Sequence, residues 1–305
     1  MNAFVGLGPV VVGVDGSNGS DTAVRWAATY AAAHQRPLRI VHGTGVPECL
    51  VADFPVDLEE ARTGMLGVGR TVTDHARDLT RTVGPDLVVA VELDTCEPRV
   101  LLAEATSDAH LLVLGSRGRG AVLSLLLGSV SAALAAHAAC PVVVVRPAGD
   151  DDAALPVVVG VDGTEDSTSA LTFAFELASD QRRPLEVVHA TGEAWLFPVP
   201  YAALAVGPAM DLVDDMAVDV AADWDLLLAE SVAGYAEKFP DVAFTSKVVQ
   251  GSAVAALVAA SQHASTVVVG ARGRSALAKR LLGSVSRSVL EHTRCTVAVV
   301  RDTLT

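Results

Sequence analysis

Cysteine is scarce in this chain. The four present in 305 residues, Cys49, Cys96, Cys140 and Cys295, show no CxxC or other ligand-like spacing. Neither a zinc site nor a disulfide framework is expected, and a reducing compartment suits the composition. Aromatic residues make up only 4%, and the aliphatics that replace them are mostly Val, Ala and Leu, the mixture of parallel sheets covered by helices. Basic residues are in deficit: 22 Lys and Arg against 36 Asp and Glu leave a net charge of −14. Such a field disfavours general binding to nucleic acid or anionic membranes, so any anionic ligand needs a local site. A Gly-Lys dipeptide, GxGxxG, GxSxG and HExxH are all missing, which removes the phosphate-loop lysine, the dinucleotide fingerprint, the nucleophile elbow and the zinc-protease helix. Met1 leads into a strand-like segment without a basic stretch, the opposite of a secretory leader.

What the chain has is a copy of itself. Val10-Val-Val-Gly-Val-Asp-Gly16 returns unchanged as Val157-Val-Val-Gly-Val-Asp-Gly163, and Arg36-Pro37-Leu38 returns as Arg183-Pro184-Leu185, both 147 residues further on. Leu126-Leu-Gly-Ser-Val-Ser131 reappears as Leu281-Leu-Gly-Ser-Val-Ser286, now 155 residues on. The chain therefore reads as two domains, 1–147 and 157–305, joined by a polar, proline-bounded linker over 148–156. The repeat also disposes of a false membrane span. Ala121–Val145 carries no Asp, Glu, Lys or Arg, but its second copy holds Lys279, Arg280, Arg287, Glu291 and Arg294.

Short apolar runs predict first-half strands at 9–14, 38–42, 87–92, 111–114 and 142–146, and helical periodicity predicts helices at 19–35, 58–83, 97–108 and 129–139. Unbroken apolar strands alternating with helices make a parallel α/β sheet covered on both faces, whose ligands sit at the strands' carboxyl ends.

At the end of the fourth strand stands Gly115-Ser-Arg-Gly118, followed after nine residues by Gly128-Ser129-Val130-Ser131. The second half repeats the spacing with Gly270-Ala-Arg-Gly273 and Gly283-Ser284-Val285-Ser286. Glycines at a strand end let backbone approach a ligand closely. The later Gly-Ser opens a helix whose unpaired N–H groups favour phosphate. Arg117 and Arg119, and then Arg272, Arg274, Lys279 and Arg280, make both loops locally basic on an acidic protein.

This G-x2-G-x9-G-S pattern, paired with the early Val-Gly-Val-Asp-Gly, resembles the ATP-binding class of the universal stress protein family, in both halves. The resemblance implies two tandem doubly wound, Rossmann-like five-stranded parallel sheets, each ordered 3-2-1-4-5, with ATP between strands one and four. It implies that Asp15 bonds the nucleoside, that backbone at Val41 meets adenine, and that Gly115, Arg117, Gly118, Gly128, Ser129, Val130 and Ser131 surround ribose and phosphates. Asp162, Val188, Gly270, Arg272, Gly273, Gly283, Ser284, Val285 and Ser286 match them in the second half. Two motifs imply two ATP sites per chain, with any Mg2+ held by the phosphates. The resemblance further implies a cytoplasmic, homodimeric protein of stress response or growth control, and apolar last strands that meet within the chain and couple the sites.

Alternatives remain at several positions. Asp15 and Asp162 also suit a helix cap or turn carboxylate. His42 and His189, at matching strand ends, and His137 and His292, at matching helix positions, have no ligand-spaced partners and read as packing or rim residues; Cys140 and Cys295 read as packed thiols. The acidic run from Asp211 to Glu230 reads as a solvated helix face with Leu212, Met216, Val220 and Leu227 inward. No catalytic constellation assembles and no metal site is assigned. An ATP-binding regulator with an unidentified protein partner is the leading reading; a slow ATPase or nucleotidyl-transfer enzyme and a scaffold with vestigial sites compete with it.

Overall fold

The computed structural model describes residues 8–45, 58–118, 127–147, 155–191, 232–273 and 282–301, together with 226 and 228–230. Cys49, the linker residues 148–154, the basic residues Arg119, Arg274, Lys279 and Arg280, and nearly all of the 211–230 acidic run lie outside them. The first half runs β1 (Val10–Gly13), α1 (Asn18–Ala33), β2 (Leu38–Gly43), α2 (Leu58–Val83), β3 (Val89–Asp94), α3 (Pro98–Ala105), β4 (Leu111–Gly115), α4 (Ser129–His137) and β5 (Val142–Val145). The second runs β6 (Val157–Val161), α5 (Glu165–Gln181), β7 (Leu185–Ala190), α6 (Tyr235–Lys238), β8 (Phe244–Val249), α7 (Ala253–Ala260), β9 (Thr266–Gly270), α8 (Ser284–His292) and β10 (Thr296–Val300).

All the expected first-half elements are present, with ends shifted by a few residues. α1 stops at Ala33, short of 35, because Gln35 adopts a left-handed φ of 51° that turns the chain back toward β2. Arg182, its repeat counterpart, has a φ of 52°. The described part of the uncharged 121–145 stretch is a nine-residue helix and a four-residue strand. Among the described residues no helix is long and apolar enough to cross a membrane.

The strands form one sheet in the order β3-β2-β1-β4-β5-β10-β9-β6-β7-β8. Each half has the expected 3-2-1-4-5 order with parallel pairing, and the apolar last strands meet as expected, which fuses the two sheets. β10 pairs β5 antiparallel, Ala298 opposite Val143, whereas the other neighbours are parallel. Each last strand is apolar and would otherwise expose a row of unpaired backbone groups, so the two edges satisfy one another. Alternation along the strands feeds two cores that run through both halves. Val10, Val12, Val143 and Val159 pack with α1 and α5 on one face, and Val11, Val142, Val144 and Val158 pack with α3, α4 and α8 on the other.

Side chains lock the seam symmetrically. Arg146, just beyond β5 and only 5% exposed, donates to Leu290 O (2.5 Å) and Cys295 O (3.0 Å) near the C-terminus of α8. Arg301, just beyond β10, donates to Ala135 O (2.6 Å) near the C-terminus of α4. Each guanidinium lies where a helix end presents partial negative charge, and burial holds both below the ordinary arginine range. His34 on α1 bonds Asp180 on α5 at 2.6 Å.

Beside this seam, Nε2 of His110 lies 3.2 Å from the Tyr30 hydroxyl, within hydrogen-bond distance. Burial, then Arg36 and His34, lower the His110 pKa from 6.5 to about 4, while burial chiefly raises that of Tyr30. A depressed histidine leaves the unfolded chain binding the extra proton, so this contribution is complete above pH 6.5 and declines as pH falls toward 4. Urea denaturation across that window should show stability falling with acid, and His110→Gln should flatten the slope. An unchanged slope would remove His110 from the acid response.

Candidate functional site

At the carboxyl end of β1 the chain turns through Asp15 and Gly16, the latter at a φ of 75° that favours glycine. Asp15 Oδ1 accepts from Ser17 N–H (3.0 Å) and Ser17 Oγ (2.6 Å), and Ser17 in turn caps α1 by accepting from Ser20 N–H. The second half repeats this with Asp162, Thr164 and Ser167. The aspartates are therefore turn carboxylates, and the hydroxyl residues two places on are the caps. Their Oδ2 atoms lie toward the glycine loops, where a Cβ on Gly118 or Gly273 would stand. His42 and His189 brace the same turns through Nδ1, which lies 2.6 Å from Val14 O and 2.8 Å from Val161 O, respectively.

The glycine loop leaves β4 at Gly115 and rejoins at Gly128, whose N–H donates to Ser116 O (2.7 Å); Gly283 donates likewise to Ala271 O (2.8 Å). Ser131 Oγ donates to Gly115 O (2.8 Å) and Ser286 Oγ to Gly270 O (2.6 Å). These hydroxyl protons clamp helix to strand and are already committed, which leaves the backbone N–H groups of both serines for a ligand. Gly128 and Gly283 are the N-caps of α4 and α8, and neither helix start has a side-chain cap. Among the described residues no side chain takes the first N–H groups of either helix, which suit a ligand or water.

Two crevices result. The first, about 320 Å³, is lined by Asp15, Gly115, Arg117, Gly118, Gly128, Ser129, Val130 and Ser131 of the expected set. The second, about 100 Å³, is lined by Asp162, Val188, Gly270, Arg272, Gly273, Gly283, Ser284, Val285 and Ser286. Val41 is not on the first wall: it is buried, and its carbonyl accepts from Val14 N–H (3.0 Å). Pro98 and Leu102 from α3, and Ala253 and Leu257 from α7, also line the walls. Sequence reasoning missed these four; the signal was their place just after the third strand of each half, at the same end of the sheet.

His137 and His292 face their own helices' carbonyls at Ala133 and Ser288, away from the crevices. Cys140 is buried, which raises its thiol pKa to about 12. Among the described residues no three His, Cys, Asp or Glu side chains gather as a cation site.

A doubly wound sheet with a crevice at each switch point, floored by a carboxylate turn and faced by a helix start, defines a pair of α/β units fused through their edges, with the crevices where such sheets place their ligands. The sequence pattern of the universal stress protein family matches residues 7–146 and again 155–301. The chain belongs to that family, as a tandem member. A universal stress protein of Mycobacterium bovis is 39% identical over 304 residues, covering 96% of this chain and 97% of the relative. One from Mycobacterium tuberculosis is 34% identical over 318 residues, covering 97% of each. A universal stress protein crystal structure from Archaeoglobus fulgidus superposes with a TM-score of 0.66 at 17% identity, over 96% of this chain and 98% of that one, a likeness of fold.

Proposed function

We propose that each half, 1–147 and 157–305 about the 148–156 linker, holds an adenine nucleotide at the carboxyl edge of its sheet, with ATP the ligand of the first crevice. Occupancy sets the conformation or the protein-partner affinity of the fused domains in a cytoplasmic, homodimeric regulator of stress response or growth. The observation that supports this most is the uncapped start of α4 facing the Asp15 turn across the Gly115–Gly118 loop. Helix N–H groups suit phosphate, and a carboxylate suits ribose hydroxyls or the adenine amino group. Mg2+ accompanies the nucleotide on its phosphates.

The test is mass spectrometry of the ligand released when freshly purified protein is denatured, followed by calorimetric titration with ATP. Adenine nucleotide in the extract and saturable ATP binding are expected. An empty extract with no ATP, AMP or adenosine binding would overturn the reading, and multiple-turnover phosphate release would make the protein an enzyme.

A further inference from the structure

Among the matched positions at which the two crevices differ, one places a charge beside the glycine loop. Gly19 in the second residue of α1 corresponds to Asp166 in the second residue of α5. Asp166 is 3% exposed and bonds Arg272 of the glycine loop three times: from the backbone N–H (3.0 Å), from Nε (2.8 Å) and from Nη2 (2.9 Å). In the first half a Cβ on residue 19 would stand 2.6 Å from Arg117 O, so the loop rests directly on the glycine and leaves no room for such a carboxylate. Among the described residues no carboxylate pairs with Arg117. Arg117 lies exposed at the rim.

From this we infer that Asp166 is a built-in anion occupying the phosphate-binding groups of the second glycine loop, and that the second crevice takes adenosine or its monophosphate in preference to ATP. A two-point guanidinium–carboxylate pair with an added backbone bond is strong and directional, so a polyphosphate has to displace it and approach a buried negative charge. A ligand with one phosphate needs only the N–H groups at the start of α8. The volumes agree, about 100 Å³ in the second crevice against about 320 Å³ in the first. Asp166 is thus a specificity residue, and the two halves are unequal sites. This rests on the adenine-nucleotide reading of the crevices.

The test is calorimetric titration of the full chain with ATP, AMP and adenosine, as wild type and with the first crevice silenced by Gly118→Glu. Wild type should take one ATP tightly, and the silenced chain should bind AMP or adenosine at least about tenfold more tightly than ATP. Adding Asp166→Gly to the silenced chain should improve ATP binding about tenfold and erase that preference. Asp166→Asn, which keeps the shape and removes the charge, should shift it the same way, with folding of both variants checked by circular dichroism. Equal ATP affinity at the two crevices, a preference unmoved by either substitution, or a second crevice that binds none of the three probes while the first binds ATP would overturn the inference. Failure of all three probes at both crevices would instead overturn the functional reading beneath it.

Discussion

Gly118→Glu should abolish ATP binding in the first half, a loss of at least about a hundredfold in affinity, or about 2.7 kcal/mol. A Cβ at residue 118 would overlap Oδ2 of Asp15, the carboxylate that floors the crevice, so that side chain has to give way. A first carbon therefore displaces Asp15, and the glutamate then adds negative charge beside it where phosphate has to pass. Gly273→Glu should abolish nucleotide binding in the second crevice, read there with AMP, with a less severe steric component, since a Cβ there stands 2.8 Å from Asp162 Oδ2. Calorimetry on variants whose circular dichroism matches wild type checks both. Normal ATP binding by Gly118→Glu would place the phosphates elsewhere.

Arg146→Ala should cost about 2–3 kcal/mol of stability, read as a lower urea midpoint, because two charge-assisted bonds are lost and the Leu290 and Cys295 carbonyls are left near a buried helix end. Arg146→Met should cost less, since it keeps much of the volume and removes the expense of burying a charge. Arg301→Ala acts on the pseudo-symmetric contact with Ala135 and should cost about 1.5–2 kcal/mol. The same arginines offer a route between the crevices. α4 carries a ligand-facing start and ends under Arg301, and α8 carries the other start and ends under Arg146. Removing both should reduce any effect of ATP in the first crevice on AMP affinity in the second. If Arg146→Ala is as stable as wild type, strand pairing alone holds the seam.

Much of the site was legible because it is written twice. The aspartate turns, glycine loops and Gly-Ser helix starts each recur at matching spacing, and the structure brings these matched residues into two crevices, with Val41 set back behind the first wall. The duties within that set were less legible. Asp15 suits a helix cap by its place after a strand, yet the Asx turn it makes passes the cap to Ser17. The family pattern sets Ser131 among the residues around ribose and phosphates, and the structure gives its hydroxyl the further duty of holding Gly115. Composition permits both duties for each residue, and only the nearest acceptor in space chooses between them.

By itself the sequence determined the alternation of strands and helices, the duplication and the location of the loops, since these follow from periodicity and turn chemistry over a few neighbouring residues. Tertiary structure alone decided that the last strands pair antiparallel, which side chains brace that seam and how the halves differ. The β5–β10 seam, the exchange of Arg146 and Arg301 between helix ends, and the Asp166–Arg272 pair join residues separated by 106 positions or more. Such bonds depend on which partner the fold carries within about 3 Å, a distance no local pattern encodes.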